Sequence, residues 1–241
     1  MSNMFGNASN ELAGSEKEKD VLGGRSLLPT NVYDGLIDVA YITTSQAGAK
    51  AFNFVINFNN KLHRETIYVT NREGGVTYVK DGKKYPLPGY SLVNAITKLT
   101  IGKEIPNLIF EPRLVKIYNF DLKKEVPVEV PVAVELVGQA VCLGIEHSRE
   151  NKRVKDQAGN YVDTPEIRES NTIARVFHVK TGQTVSEYDS QKPAEFKDLW
   201  LKEFKDKTRD RTNKAITATA APTGSPAATP SSGKTSLFGG G

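Results

Sequence analysis

Between Ala49 and Tyr90 the chain reads AKAFNFVINFNNKLHRETIYVTNREGGVTYVKDGKKYPLPGY, and this stretch constrains the fold more than any other. Phe52, Phe54, Ile56 and Phe58 place a large apolar side chain at every second position, the period of a strand with one buried face. The next segment alternates with a different content. Ile67 and Val69 fall on one face, while Arg64, Thr66 and Tyr68 fall on the other. A face that carries Arg and Tyr beside a turn rich in Lys and Arg suits a nucleic acid, because cations meet phosphates and rings stack on bases.

Around this centre the pattern reads as a β-rich chain. Val32–Thr44 is a first strand, with Ala51–Asn59 and Leu62–Thr70 a hairpin closed at Asn59-Asn60. A Gly74-Gly75 turn leads into Val76–Lys80, and Asp81-Gly82 marks a further turn. The period then changes: Leu92, Ala95, Ile96 and Leu99 follow helical spacing, with Ser91 as N-cap and Gly102 as the C-terminal stop. Leu108–Tyr118 and Val132–His147 read as longer strands joined by a Pro-punctuated linker, KKEVPVEVP. Lys152–Tyr161 has hairpin character, and Ile173–Lys180 reads as a last strand. Pro193 opens a short amphipathic helix with Phe196, Leu199, Trp200 and Phe204 along one side.

The expected architecture is therefore mainly β, an OB-fold-like Greek-key barrel with one medium helix between strands, a short C-terminal helix and disordered tails. The expected organisation is a flexible N-terminal arm over 1–30, the barrel domain over 31–210 and a low-complexity tail over 211–241. From Ala215 onward the chain is Ala, Thr, Pro, Ser and Gly, a composition that buries too little apolar surface to fold.

Composition narrows the chemistry. Net charge is only +4 over 241 residues, so bulk electrostatics alone do not diagnose a nucleic-acid partner. The single cysteine, Cys142, lies in an apolar run and reads as a buried structural thiol, with no cysteine cluster for zinc. His63, His147 and His178 are far apart in sequence, so no metal and no cofactor are expected. SSGKTS resembles part of a phosphate loop, but the required glycine is Ala228 and no strand precedes it. No nucleophile or acid–base pair stands out, and no enzymatic activity is expected. No apolar run reaches the length of a membrane span, and the polar N-terminus lacks signal-peptide architecture; the expected setting is the cytoplasm.

The candidate binding residues form two groups. Lys50, Lys61, Arg64, Arg72, Lys80, Lys83 and Lys84 cluster in or beside the central strands, interleaved with Tyr68, Tyr78 and Tyr85. Arg149, Lys152, Arg153 and Lys155 form a second basic group, with Tyr161 across the turn. The phosphate contacts are assigned to Arg64, Arg72, Lys80, Lys152 and Arg153 and the stacking to Tyr68, Tyr78 and Tyr161, with Lys50, Lys83 and Lys84 as further nucleic-acid-binding residues. The competing reading is ordinary surface lysines and half-buried tyrosines of a sheet. At the far end Leu237-Phe238 offers an apolar tip on a tether, suited to a pocket on a replication or recombination protein.

Three segments carry a resemblance: DVLGGRSLLPTNVYDGLIDVAYITTSQAGAKAFNFVINF, HRETIYVTNREGGVTYVKDGKKYPLPGYSLVNAITKLTIGKEI and ELVGQAVCLGIEHSRENKRVKDQAGNYV. Together they resemble the single-stranded DNA-binding proteins of tailed bacteriophages, over roughly residues 20–210. The resemblance implies an OB-like fold that coats single-stranded DNA in replication, recombination or repair, without cofactor or reaction, in the host-cell cytoplasm. Many such proteins end in an acidic tail, whereas no acidic residue follows Asp210 here. Recruitment through an acidic peptide is therefore not expected. A strand-annealing factor and a barrel that meets only protein remain the rival readings.

Overall fold

The computed structural model describes residues 27–119, 121–157 and 159–218. The chain is mainly β and antiparallel. Its long elements are β1 (Asn31–Thr44), β2 (Lys50–Phe58), β3 (Lys61–Tyr68), β6 (Phe110–Asn119), β7 (Lys124–Ala133), β8 (Ala140–Lys155) and β9 (Tyr161–Phe177). Short strands β4 (Thr77–Lys80) and β5 (Lys83–Pro86) form a separate hairpin, and β10 (Thr208–Asp210) closes the set. The helices are α1 (Pro88–Ile101), α2 (Val185–Asp189), α3 (Phe196–Phe204) and α4 (Lys214–Ala218).

The central alternation folds as the period requires. Phe52, Phe54, Ile56 and Phe58 are all buried, and Ile67 and Val69 join them from the next segment. Their core is shared by Ile37 and Ala40 of β1, Val93, Ile96 and Leu99 of α1, Leu143 and Ile145 of β8, and Ile173 and Val176 of β9. Complete burial of a Phe or Ile side chain contributes about 1.5–3 kcal/mol, so this one cluster holds the layers together.

The sheet path runs β3-β2-β1-β8-β9, all antiparallel, so the fourth long strand of this path returns beside the first. The ring of strand pairs stays open. Among the described residues β3 and β9 share no ladder, although residues 61–64 and 168–171 line one cleft and Glu65 reaches Ile173. That order sets the two strands side by side in the same direction.

β6 and β7 pair with one another along their whole length and touch β1 through Tyr41 and Val132. They form a two-stranded ribbon, where the sequence suggested a strand and a proline-rich linker. Pro127 and Pro131 are accommodated because β7 has a full ladder only with β6, leaving its other side mostly free of donors' demands. The expected continuous strand from Val132 is also interrupted. A 3-10 turn over Val134–Leu136 drops Leu136 into the core, and Gly138 turns the chain at φ 76° before β8 begins.

α1 starts three residues before the expected N-cap. Leu87 caps it, Pro88 takes the first helical position, and the Ser91 N–H already donates to the Leu87 carbonyl. Gly102 ends it in the left-handed conformation, φ 71°, donating to the Lys98 carbonyl, as the sequence indicates. Of the expected apolar stripe on α3 only Trp200 is buried; Leu199 is exposed, because this nine-residue helix rests on the sheet through one ring above Gly144.

The ends of the described chain are tied in. Leu28 exchanges two hydrogen bonds with the Asn171 side chain, and Thr30 is buried against His147 and Lys207. Past residue 210, Arg211 donates from its backbone to the Arg149 carbonyl, and Asn213 to the Asn151 side chain. Leu237 and Phe238 lie outside the described residues.

Candidate nucleic-acid interface

On the outer side of β1, β2 and β3 the side chains form rows fixed by register. Tyr41, Asn53 and Thr66 align across the three strands, and Val55 stands opposite Arg64. The Thr66 hydroxyl donates to the Asn53 side-chain Oδ1 at 2.7 Å, and the Asn53 Nδ2 donates onward to the Thr43 hydroxyl at 2.8 Å. This polar row is already satisfied and stiffens the surface rather than offering free donors. Arg64, Thr66 and Tyr68 all face solvent, with Tyr68 54 % exposed.

The ribbon borders this surface. Tyr41 is buried with Val130 and Val132, flanked by Val39, Val115 and Ile117. Burial raises the Tyr41 phenol above its ordinary value, and the Arg64 cation partly offsets that rise. Near the ribbon's far end Glu125 pairs with Arg64 at 3.4 Å, both half exposed. Arg64 is thus held by a partner of modest strength.

At the other end of β3, the segments that carry Lys50 and Arg72 pack against each other through their backbones. Val69 and Thr70 both donate to the Lys50 carbonyl, and the Arg72 carbonyl lies against Gly48 of the 45–49 turn. Gly48 takes φ 91°, and a side chain there would press on that carbonyl. Next in the chain, the β4–β5 hairpin presents Tyr78 opposite Tyr85, ring centroids 5.8 Å apart, and Lys80 opposite Lys83. Every residue of both short strands is exposed, including Lys84 and Val79. An isolated two-stranded hairpin is marginal in water, so this one gains from any surface it meets.

The second basic group stands apart on the β8–β9 hairpin, where the acidic residues of β9 occupy it. Lys152 pairs with Glu166 at 3.0 Å, Arg153 with Asp163 at 3.1 Å, and Arg149 with Glu169 at 3.1 Å. Tyr161 is exposed, with the Lys155 ammonium 5.6 Å from its ring centre. Phosphate contact by Lys152 or Arg153 therefore has to displace a carboxylate, whereas Lys50, Lys80 and Lys83 form no ion pair among the described residues. Arg168, a cation the sequence did not single out, lines a cleft of about 450 Å³ together with Lys61, Arg64 and His63. Its signal was not local: only the meeting of β3 with β9 brings it to Lys61 and Arg64.

The histidines have protein partners. His63 contacts Glu65 at 2.8 Å, His147 contacts Glu169 at 3.2 Å, and His178 contacts Thr181 at 3.0 Å. Among the described residues no three His, Cys, Asp or Glu side chains converge as metal ligands. Cys142 is buried, and burial, reinforced by Asp34, pushes its thiol up to about 12. Among the described residues no helix is long and apolar enough to cross a membrane. No family model matches the sequence, and no curated protein matches it.

Proposed function

We propose that this protein binds single-stranded DNA without sequence preference, coating and protecting it in replication or recombination. The observation that carries the reading is the outward set of Arg64, Thr66 and Tyr68 on β3, continued by the exposed Tyr78–Tyr85 pair and the exposed lysines of the β4–β5 hairpin. Rings at two places along a cationic track give sequence-tolerant stacking, worth about 1–3 kcal/mol per base, while phosphates supply the salt-sensitive part.

The strand path supports an OB-type assignment. β8-β1-β2-β3 has the spatial order of a Greek key, with α1 between the third and fourth strands and β9 beside the fourth. An OB-fold is a partly open barrel, and it binds oligonucleotides on its second and third strands and the adjoining loops. In this chain those places are β2, β3 and the 45–49 turn. The resemblance to phage single-stranded DNA-binding proteins points the same way, and with it the host-cell cytoplasm as the place of action. Replication or recombination proteins are the partners we assign to the Leu237-Phe238 tip.

Fluorescence anisotropy with labelled oligothymidine, across a salt series and against a duplex of equal length, tests the reading. Tight, salt-dependent binding to the single strand and weak binding to the duplex is the expected result. The folded Arg64→Ala/Tyr68→Ala double variant is expected to bind at least about tenfold more weakly. Absence of binding at low salt would overturn the proposal in favour of a purely protein-binding role.

A further inference from the structure

We propose that the open seam between β3 and β9 is a second stretch of the phosphate track, with Arg168 its principal contact; this rests on the single-stranded DNA reading. Three observations carry it. The first is that the seam is not sealed by backbone. Glu65 is the bridge: its carboxylate accepts the Ile173 N–H at 2.8 Å and holds His63 at 2.8 Å, leaving a cleft of about 450 Å³ above this point. The second is charge. Lys61 and Arg64 stand on one bank, Arg168 on the other, and the one carboxylate lining the cleft, Glu169, already serves Arg149 and His147. The third is availability. Arg168 is exposed and, unlike Arg149, Lys152 and Arg153, closes no ion pair with a described residue, although Glu150 faces it across the ladder.

A phosphodiester suits this arrangement better than a free carboxylate-bearing ligand. It is a chain of single charges, so one phosphate at Arg64 leaves the next within reach of the opposite bank, and a guanidinium fork matches its paired oxygens. Ser170 and Asn171 continue the lining on the β9 side. A strand lying across Tyr68 and Arg64 would thus turn into the seam and extend the bound length beyond the outer face of β3.

The test compares wild type, Arg168→Ala and Arg168→Lys on oligothymidines of about 4 and about 16 nucleotides, the range that one OB domain covers. The expected result is a several-fold loss for Arg168→Ala on the longer strand only and a salt slope lower by about 0.7, with Arg168→Lys recovering the slope but only part of the affinity. Wild-type affinity and slope for Arg168→Ala, alongside weakened Arg64→Ala/Tyr68→Ala, would overturn the seam site and leave the DNA reading standing. Failure of wild type to bind either strand overturns both. Arg168 is a surface residue, and thermal unfolding of each variant verifies that its fold is intact.

Discussion

Arg211 reaches the buried carboxylate of Glu146 at 2.9 Å, and Arg209, two residues earlier, reaches the same carboxylate at 3.1 Å. Glu146 is only 5 % exposed, whereas both guanidiniums are about half exposed. One buried charge thereby adds side-chain anchorage to a strand of only three residues. Its parallel ladder with β8 runs from Thr208 opposite His147 to Asp210 opposite Arg149.

Glu146→Gln is therefore expected to loosen the C-terminal strand. Two charge-assisted hydrogen bonds become weaker ones, a loss of about 2 kcal/mol that the exposure of the arginines keeps from growing larger. Urea unfolding should show the shifted midpoint. Limited proteolysis should cut earlier between residues 205 and 214; an unchanged pattern would mean the strand is held by backbone after all.

Gly89→Ala is expected to be costly for a different reason. A Cβ built on Gly89 overlaps the Tyr68 carbonyl oxygen and crowds Ile67, and neither the strand nor the helix start can yield cheaply. Overpacking of this kind costs about 1–3 kcal/mol. Because the pressure falls on the end of β3, the same substitution should also weaken oligothymidine binding. A stable variant with full affinity would show that α1 does not position Tyr68.

Glu125→Gln frees Arg64 from its ribbon partner. An exposed ion pair contributes about 0.2–1 kcal/mol, so binding of single-stranded DNA is expected to tighten about two- to threefold at low salt and converge with wild type at high salt. Glu111→Gln is the control: it removes the same charge from the ribbon, but its partner is Arg113. Equal gains in both variants would reduce the effect to net charge.

The Cys142 thiol gives a pH prediction with a definite sign. Its folded value, about 12, lies above the ordinary thiol value of 9.0, because burial favours the protonated form. The stabilisation is complete below pH 9, and it is lost as pH rises toward 12, where the unfolded chain has released a proton that the folded chain retains. Native protein should resist a thiol-modifying reagent at pH 8 and react fully once unfolded. Rapid reaction of the folded protein would show that the thiol is reached from solvent.

What the sequence disclosed and what it hid separate by physical cause. Phe52, Phe54, Ile56 and Phe58 were legible because a period of two states a buried face by itself, and Arg64 and Tyr68 followed as its outward counterparts. Gly102 was legible because a helix stop needs a left-handed residue. The ribbon strand at Lys124–Ala133 was not, since prolines normally mark a break and only its limited pairing excuses them here. β10 was hidden because its support, Glu146, is more than sixty positions away in sequence. The pairing of Lys152 and Arg153 with Glu166 and Asp163 depends on a hairpin register that shifts between Asn151 and Arg153, which no local pattern records. Arg168 escaped notice because it forms the bank of a cleft opposite Lys61 and Arg64 that exists only in three dimensions.

Thr30 joins the two ends of the folded unit, taking the Asp206 N–H on its carbonyl and giving its hydroxyl to the Lys207 carbonyl. On β8, Asn31 stands opposite Ile145 and Thr208 opposite His147, so β1 and β10 meet only about 7 Å apart along one strand. The described part of the chain is in effect a loop that nearly closes on itself. It can be re-cut elsewhere, for example in the turn after Lys155, with a peptide splicing the stretch after Arg211 to the stretch before Leu28. Such a circular permutant would keep every strand neighbour while moving both free ends to the tip of the longest hairpin.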